Sequence, residues 1–130
     1  MTGFRFPRAY RLTRRADLLS VARDGKRIRT EALEFRAVAS LLHPGSNPQS
    51  GMERHARVGL IVPKHGNGIV HRNQLKRRLR EIVRYHFLRE LPAIDVVIRA
   101  QRQAYKAGFA NLVVEVEMAR RKLVTMFSEE

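Results

Sequence analysis

Cysteine is absent from this 130-residue sequence. Its absence excludes disulfides, thiolate metal sites and cysteine nucleophiles, and leaves no reason to place the chain in an oxidising compartment. Acidic residues are scarce, with 12 Asp and Glu against 26 Lys and Arg. A two-metal nuclease needs carboxylates clustered on ions about 4 Å apart, and Asp17, Asp24 and Asp95 form no such cluster in sequence. Long apolar runs are missing too. No stretch approaches the ~20 apolar residues of a membrane span, and Met1-Thr2-Gly3-Phe4-Arg5-Phe6-Pro7-Arg8 lacks the apolar run of a signal peptide. A cytoplasmic protein with no membrane partner is expected.

What is present is basic charge. The formal net charge is +14, and most of the cations are arginine. Such a field attracts polyanions before any specific contact forms. Arginine's planar fork donates paired hydrogen bonds to a phosphate and stacks on bases, which suits RNA. With 44% apolar residues the chain can build a modest core. The length fits one domain over 1–130, with residues 1–12 a flexible basic arm and 43–55 a loop rich in Pro, Gly, Ser and Asn.

Between these, the pattern alternates between helix and strand periods. Thr13 is placed to cap a first helix that runs to about Arg23, with Leu18, Leu19 and Ala22 as its apolar stripe and Gly25 in a left-handed exit. From Ile28 to Leu42 the period is two. Leu33, Phe35, Ala37, Ala39 and Leu41 share one face, and Glu34, Arg36 and Ser40 the other, as one strand or two. Val58 to Val62 reads as a buried strand stopped by Pro63. A glycine-rich bend precedes the strongest helix, about Val70 to Arg89, and Val96-Val97-Ile98 is a short strand. A last helix, about Ala110 to Phe127, repeats Leu112, Val116, Ala119, Leu123 and Met126 on one face. The class is α+β: helices on a small central sheet.

The central helix has two sides. At 100° per residue, Leu75, Leu79, Ile82, Val83 and His86 project one way, and Asn73, Arg77, Arg80 and Arg84 almost opposite. Arg72 and Lys76 border the two. Repulsion along the arginine ladder costs stability, and bound phosphates would relieve it while releasing counterions. A solvated basic face would look the same in sequence, but the net charge and the adjoining bend favour a polyanion. In that bend Gly66 and Gly68 permit positive φ, and the unpaired N–H groups of the following helix, with Lys64 and Arg72 nearby, suit an anion.

Other residues carry less. His65 and His71 flank the bend without zinc-type spacing. His86 lies on the apolar side, and His43 and His55 bracket the loop. Asp17 suits the dipole of a first helical turn. Tyr10, Tyr85 and Tyr105 are boundary residues, and Phe109 and Phe127 are expected in the core.

The stretch Val62-Pro63-Lys64-His65-Gly66-Asn67-Gly68-Ile69-Val70-His71-Arg72-Asn73-Gln74-Leu75-Lys76-Arg77-Arg78-Leu79-Arg80-Glu81 resembles the signature of the bacterial ribonuclease P protein family. Arg72, Asn73, Lys76, Arg77, Arg80 and Glu81 fill its helix pattern, and Lys64, Gly66, Asn67 and Val70 its preceding turn. Arg11 to Asp17, Gly25-Lys26-Arg27 and Asp95 to Arg99 resemble the family's first helix, its exit and its last strand. Gln74, His65 and Gly68 depart from it, where the family carries a basic residue, a second lysine and often alanine.

The resemblance implies an α-β-β-β-α-β-α sandwich (ribosomal protein S5 domain 2-like) with a left-handed β-α-β crossover around the arginine-rich helix. It implies the protein subunit of an endoribonuclease whose RNA subunit removes the 5′ leader of precursor tRNA with Mg²⁺, the ion being held by RNA rather than by protein side chains. The implied partners are ribonuclease P RNA and precursor tRNA, with no obligate protein partner. No catalytic side chain is implied. Contacts to the RNA subunit fall on Lys64, His65, Asn67, Arg72, Asn73, Lys76, Arg77, Arg80 and Arg84. Contacts to the leader fall on Arg14, Leu18, Ala22 and Arg36, in a cleft between the first helix and the sheet. The family's aromatic cleft positions are Leu18, Ala22 and Arg36 here, and Phe35 faces the other side of its strand. The competing reading is a non-catalytic RNA-binding protein, such as a ribosomal or chaperone protein. A membrane-surface role is disfavoured, because the central helix needs its apolar side for the core.

Overall fold

The computed structural model describes residues 10–39 and 55–127. Helix α1 (Arg15–Asp24) leads into a hairpin of β1 (Lys26–Arg29) and β2 (Leu33–Ala39). Strand β3 (Arg57–Ile61), helix α2 (Ile69–His86) and strand β4 (Ile94–Ala100) follow, and α3 (Phe109–Phe127) closes the order. Short 3-10 turns at Leu88–Glu90 and Arg102–Tyr105 flank β4. The order α-β-β-β-α-β-α is the expected one, with two strands in the described part of the 28–42 segment; Ser40 and Leu41, expected to continue its two faces, lie outside the described residues. Most of the expected 43–55 loop, and residues 1–9 of the arm, lie outside the described residues.

The sheet runs β1-β2-β4-β3, with β3 and β4 parallel and the other pairs antiparallel. Because β3 and β4 are adjacent and parallel, the chain must cross over between their ends, and α2 is that crossover. Its apolar side, Leu75, Leu79, Ile82 and Val83, is buried as the periodicity requires. Together with Leu112, Val116, Ala119 and Leu123 of α3, it covers the sheet face that carries Leu33, Phe35, Ala37, Val96 and Ile98. Phe35 and Phe87 meet there, ring centroids 5.8 Å apart. Glu115 of α3 holds the hairpin turn by accepting from the backbone N–H of Ala32 at 2.9 Å and from the Thr30 hydroxyl.

α1 covers part of the opposite sheet face, over a small cluster of Leu12, Val21 and Val97, with Leu18, Val38 and Ile61 packed against it. Beside this cluster Arg57 grips the fully buried Asp95 through two hydrogen bonds of 3.1 and 2.9 Å. Asp95 thus lies within β4 as a structural ion-pair partner.

Four local expectations change. The N-cap of α1 is Arg14, not Thr13, and no side chain caps it. Gly25 has φ −77°, so it is not a left-handed exit; a Cβ there would sit 2.6 Å from the carbonyl oxygen of Val21 and 2.7 Å from the backbone nitrogen of Ala37. Glycine is required by the close passage of α1's end against β2. Phe109 is exposed rather than core, being the first residue of α3 and off its buried stripe. The basic arm is anchored at its end: Leu12 is buried, and its N–H donates to Val58 O at 2.9 Å.

Candidate nucleic-acid interface

The bend before α2 is a tight turn from Lys64 to Asn67, closed by the Asn67 N–H on Lys64 O at 2.9 Å. Its central residues both have positive φ, His65 at 50° and Gly66 at 86°, the signature of a type I′ turn. Gly68, expected to share that freedom, is instead an extended N-cap. The turn is braced by the segment after β4. His65 Nε2–H donates to Ala100 O at 3.2 Å, Arg102 donates to His65 O at 3.3 Å, and the Tyr105 hydroxyl donates to Pro63 O at 2.6 Å. Asn67 turns its amide back onto Lys64 O at 2.9 Å. Of the turn residues assigned to RNA, Lys64 is exposed, while His65 and Asn67 shape the turn.

Along α2 the predicted ladder divides. Asn73, Arg77 and Arg80 are exposed. Arg84 is half-buried, stacked on the Tyr85 ring at 4.6 Å and bonded to Glu81 at 3.0 Å and to the Tyr85 hydroxyl at 3.2 Å. Arg72 donates through Nε to Val62 O at 2.8 Å, tying the first turn of the helix to the end of β3. Lys76 and Arg80 turn toward β3. With Arg11, Leu12, Thr13, Leu18, Val58 and Gly59 they line a cleft of about 300 Å³. Residues assigned to two different RNA strands therefore meet: Lys76 and Arg80 from the helix, and Leu18 from α1. Gly59 makes this possible, since a Cβ there would fall 2.4 Å from Leu18 Cδ2 and 2.7 Å from Leu12 O.

The other leader positions are spread along α1 and the sheet. Arg14 is exposed at the start of α1, and Ala22 is half-buried near its end. Arg36 projects from β2 on the α1 side of the sheet, 3.4 Å from Glu34. Sequence reading misses its neighbours. In register, Arg27 lies opposite Arg36, Arg29 opposite Glu34, and Arg99 on the far side of Glu34. Directly paired residues project to the same face of a sheet, so these side chains share one surface. Alternation marks Glu34 and Arg36 as polar, but strand pairing is needed to bring the three arginines beside them. His71, Gln74 and Arg78 form a separate polar notch with Asn67 and Tyr105 on the other flank of α2.

Among the described residues no three of His, Asp and Glu come together as a metal-binding group. Several carboxylates are individually engaged, Asp95 by Arg57, Glu34 by arginines, Glu81 by Arg84, Glu115 by the hairpin turn and Glu117 by His86 at 3.0 Å. No described helix is long and apolar enough to cross a membrane.

Comparison with known proteins agrees with this architecture. The family model described as Ribonuclease P matches residues 6–124. The "Ribonuclease P protein component" of Brucella melitensis is 37% identical over 107 residues, covering 82% of this chain and 74% of that protein. Its counterpart from Gluconacetobacter diazotrophicus is 34% identical over 116 residues, covering 88% and 91%. The solved RNase P protein from Thermotoga maritima has a similar fold, with a TM-score of 0.69, 20% identity, and coverage of 86% of this chain and 96% of that one. The Staphylococcus aureus protein has a TM-score of 0.65 at 20% identity, covering 95% and 96%.

Proposed function

The chain belongs to the ribonuclease P protein family, and from that premise we propose how it serves tRNA processing: it binds the catalytic RNA along α2 and the 5′ leader of precursor tRNA in the cleft under α1. The observation that carries the reading is the division of α2, whose apolar side is buried while Asn73, Arg77 and Arg80 stand exposed. A helix anchored this way presents guanidiniums at fixed spacing, so little freedom is lost when phosphates bind. The braced turn at Lys64 extends the same surface.

In this reading the protein supplies no reacting group. Its arginines neutralise phosphates of the catalytic RNA and position the substrate, while Mg²⁺ held by RNA supports hydrolysis of the leader junction. Leu18 and Ala22 offer apolar contact, and Arg14 and Arg36 offer charge, where aromatic stacking would otherwise hold unpaired bases. The setting is cytoplasmic, a single domain acts with RNA alone, and no protein partner is required.

Reconstitution tests it. Added to a bacterial ribonuclease P RNA at low Mg²⁺, the chain should stimulate cleavage of precursor tRNA. Binding without stimulation at any protein ratio would reduce it to a plain RNA-binding protein.

A further inference from the structure

We propose that Tyr105, with Arg102 beside it, is a positioning residue for RNA docking: the segment after β4 locks the turn before α2, so that Lys64 meets the catalytic RNA already in place. It rests on the reading of this chain as a ribonuclease P subunit with Lys64 on the docking surface, and names what holds Lys64 there.

Strands β3 and β4 are parallel and paired, with Ile61 opposite Arg99, so the chain leaves both at the same end of the sheet. One exit is the turn from Lys64 to Asn67, and the other is the 3-10 turn Arg102–Tyr105. The second exit is tied to the rest of the molecule. Ala104 is buried, the Gln101 N–H donates to Ala32 O at 2.8 Å, and Tyr105 packs against the main core. The first exit lacks apolar anchorage of its own, since Lys64, Gly66 and Gly68 are all exposed. His65 at its centre holds φ 50°, a conformation uncommon in any residue but glycine and costly for an L side chain. Such a conformation persists where the surroundings over-determine it.

The surroundings do so through four successive carbonyls, each of which accepts from a side chain. Val62 O accepts from Arg72 Nε at 2.8 Å, Pro63 O from the Tyr105 hydroxyl at 2.6 Å, Lys64 O from the Asn67 amide at 2.9 Å, and His65 O from Arg102 at 3.3 Å. The His65 ring completes the brace, donating to Ala100 O and meeting the Tyr105 ring edge-on at 6.3 Å. Tyr105 is half-buried against the core, whereas Arg102 is exposed. The hydroxyl is therefore the main link between core and turn, and the guanidinium is auxiliary. Tyr105 grips the peptide that leads directly into Lys64. Lys64 itself is exposed and pairs with no carboxylate among the described residues. A lysine side chain gives up much freedom when it binds. Fixing the backbone beneath it removes part of the ordering cost before the RNA arrives.

The test is a double-mutant cycle on the affinity of the full chain for a bacterial ribonuclease P RNA, measured by filter binding. Tyr105→Phe removes a hydroxyl and no charge. It should weaken binding about fivefold, the worth of roughly one net hydrogen bond. The slope of affinity against salt should stay unchanged, because the same phosphates are met once the turn is ordered. Lys64→Ala should flatten that slope by slightly under about one unit. In the Lys64→Ala background the further loss from Tyr105→Phe should shrink to less than about twofold, the scatter between independent sites. A merely structural hydroxyl would cost the same in both backgrounds, so additive losses would overturn the positioning role, as would unaltered affinity in Tyr105→Phe. Arg102→Gln should weaken binding less than Tyr105→Phe and leave the slope unchanged; a flattened slope would make Arg102 a phosphate contact and remove it from the brace. The brace is also read without RNA. Solvent exchange of the Asn67 amide, which closes the turn on Lys64 O, should quicken about threefold to tenfold in Tyr105→Phe when followed by NMR. Unchanged exchange would overturn the brace whatever the RNA does. Absence of RNA binding by the unaltered chain would instead count against the subunit reading, which the exchange measurement does not touch.

Discussion

The two faces of the sheet are made by the same strands and put to opposite uses. Under α2 and α3 the face carries Leu33, Phe35, Ala37, Val96 and Ile98, and every one is buried. Under α1 Leu12, Val21 and Val97 form a small buried cluster with Leu18, Val38 and Ile61 packed against it, Asp95 lies beside it paired with Arg57, and Glu34 and arginines occupy the face beyond. The first face provides most of the apolar burial that holds the fold. The second is left with just enough packing to seat α1, and its Arg27, Arg29 and Arg99 remain open to solvent. Stability and binding can therefore be changed separately, one residue apart on a strand.

The largest effect is expected on the first face. Phe35→Ala should cost about 3–5 kcal/mol through lost burial and a cavity beside Phe87, read as a lower denaturation midpoint. A loss below 1 kcal/mol would mean that this face is not the main core. Close behind comes the one buried charge of the second face. Arg57→Ala leaves Asp95 buried and unpaired and should cost about 3 kcal/mol or more; an unchanged melt would show that the pair is dispensable and the contrast between faces overdrawn.

Binding should move without stability on the outer side of α2. Arg77→Ala with Arg80→Ala should flatten the salt dependence of RNA affinity by about one to two units, with the melt unchanged. Collapse of the fold would refute the two-sided assignment of the helix. Smaller still is the hairpin clamp: Thr30→Ala removes a hydroxyl shared with Glu115 and should cost about 1 kcal/mol. Leu19, exposed on α1, sets the floor. Leu19→Ser should change stability by no more than about 0.5 kcal/mol, and a larger loss in urea titration would reveal packing on α1 beyond Leu18 and Val21.

Much of this is legible in the order of residues alone. Periodicity of 3.6 separates Leu75, Leu79, Ile82 and Val83 from Asn73, Arg77 and Arg80, because successive residues on a helix turn by a constant angle whatever surrounds them. Period two puts Leu33, Phe35 and Ala37 on one side of a strand for the same local reason. Charge and the Arg72–Glu81 pattern point to a polyanion and to the family. What lies beyond reach depends on partners distant in the chain. Local rules suggest a left-handed exit at Gly25, but Val21 and Ala37 impose glycine there by proximity. The family pattern suggests a contact to RNA at His65, and its ring instead braces against Ala100. Helical spacing makes Arg84 a free rung, yet Tyr85 and Glu81 hold it. Nothing local singles out Arg27, Arg29 and Arg99 as one surface, since no local rule says which strands will lie side by side. Sequence alone determined which way each side chain points from its own helix or strand. Tertiary structure decided what it meets there, because strand register and helix docking join residues through space, and their energies do not exist until the chain has closed on itself.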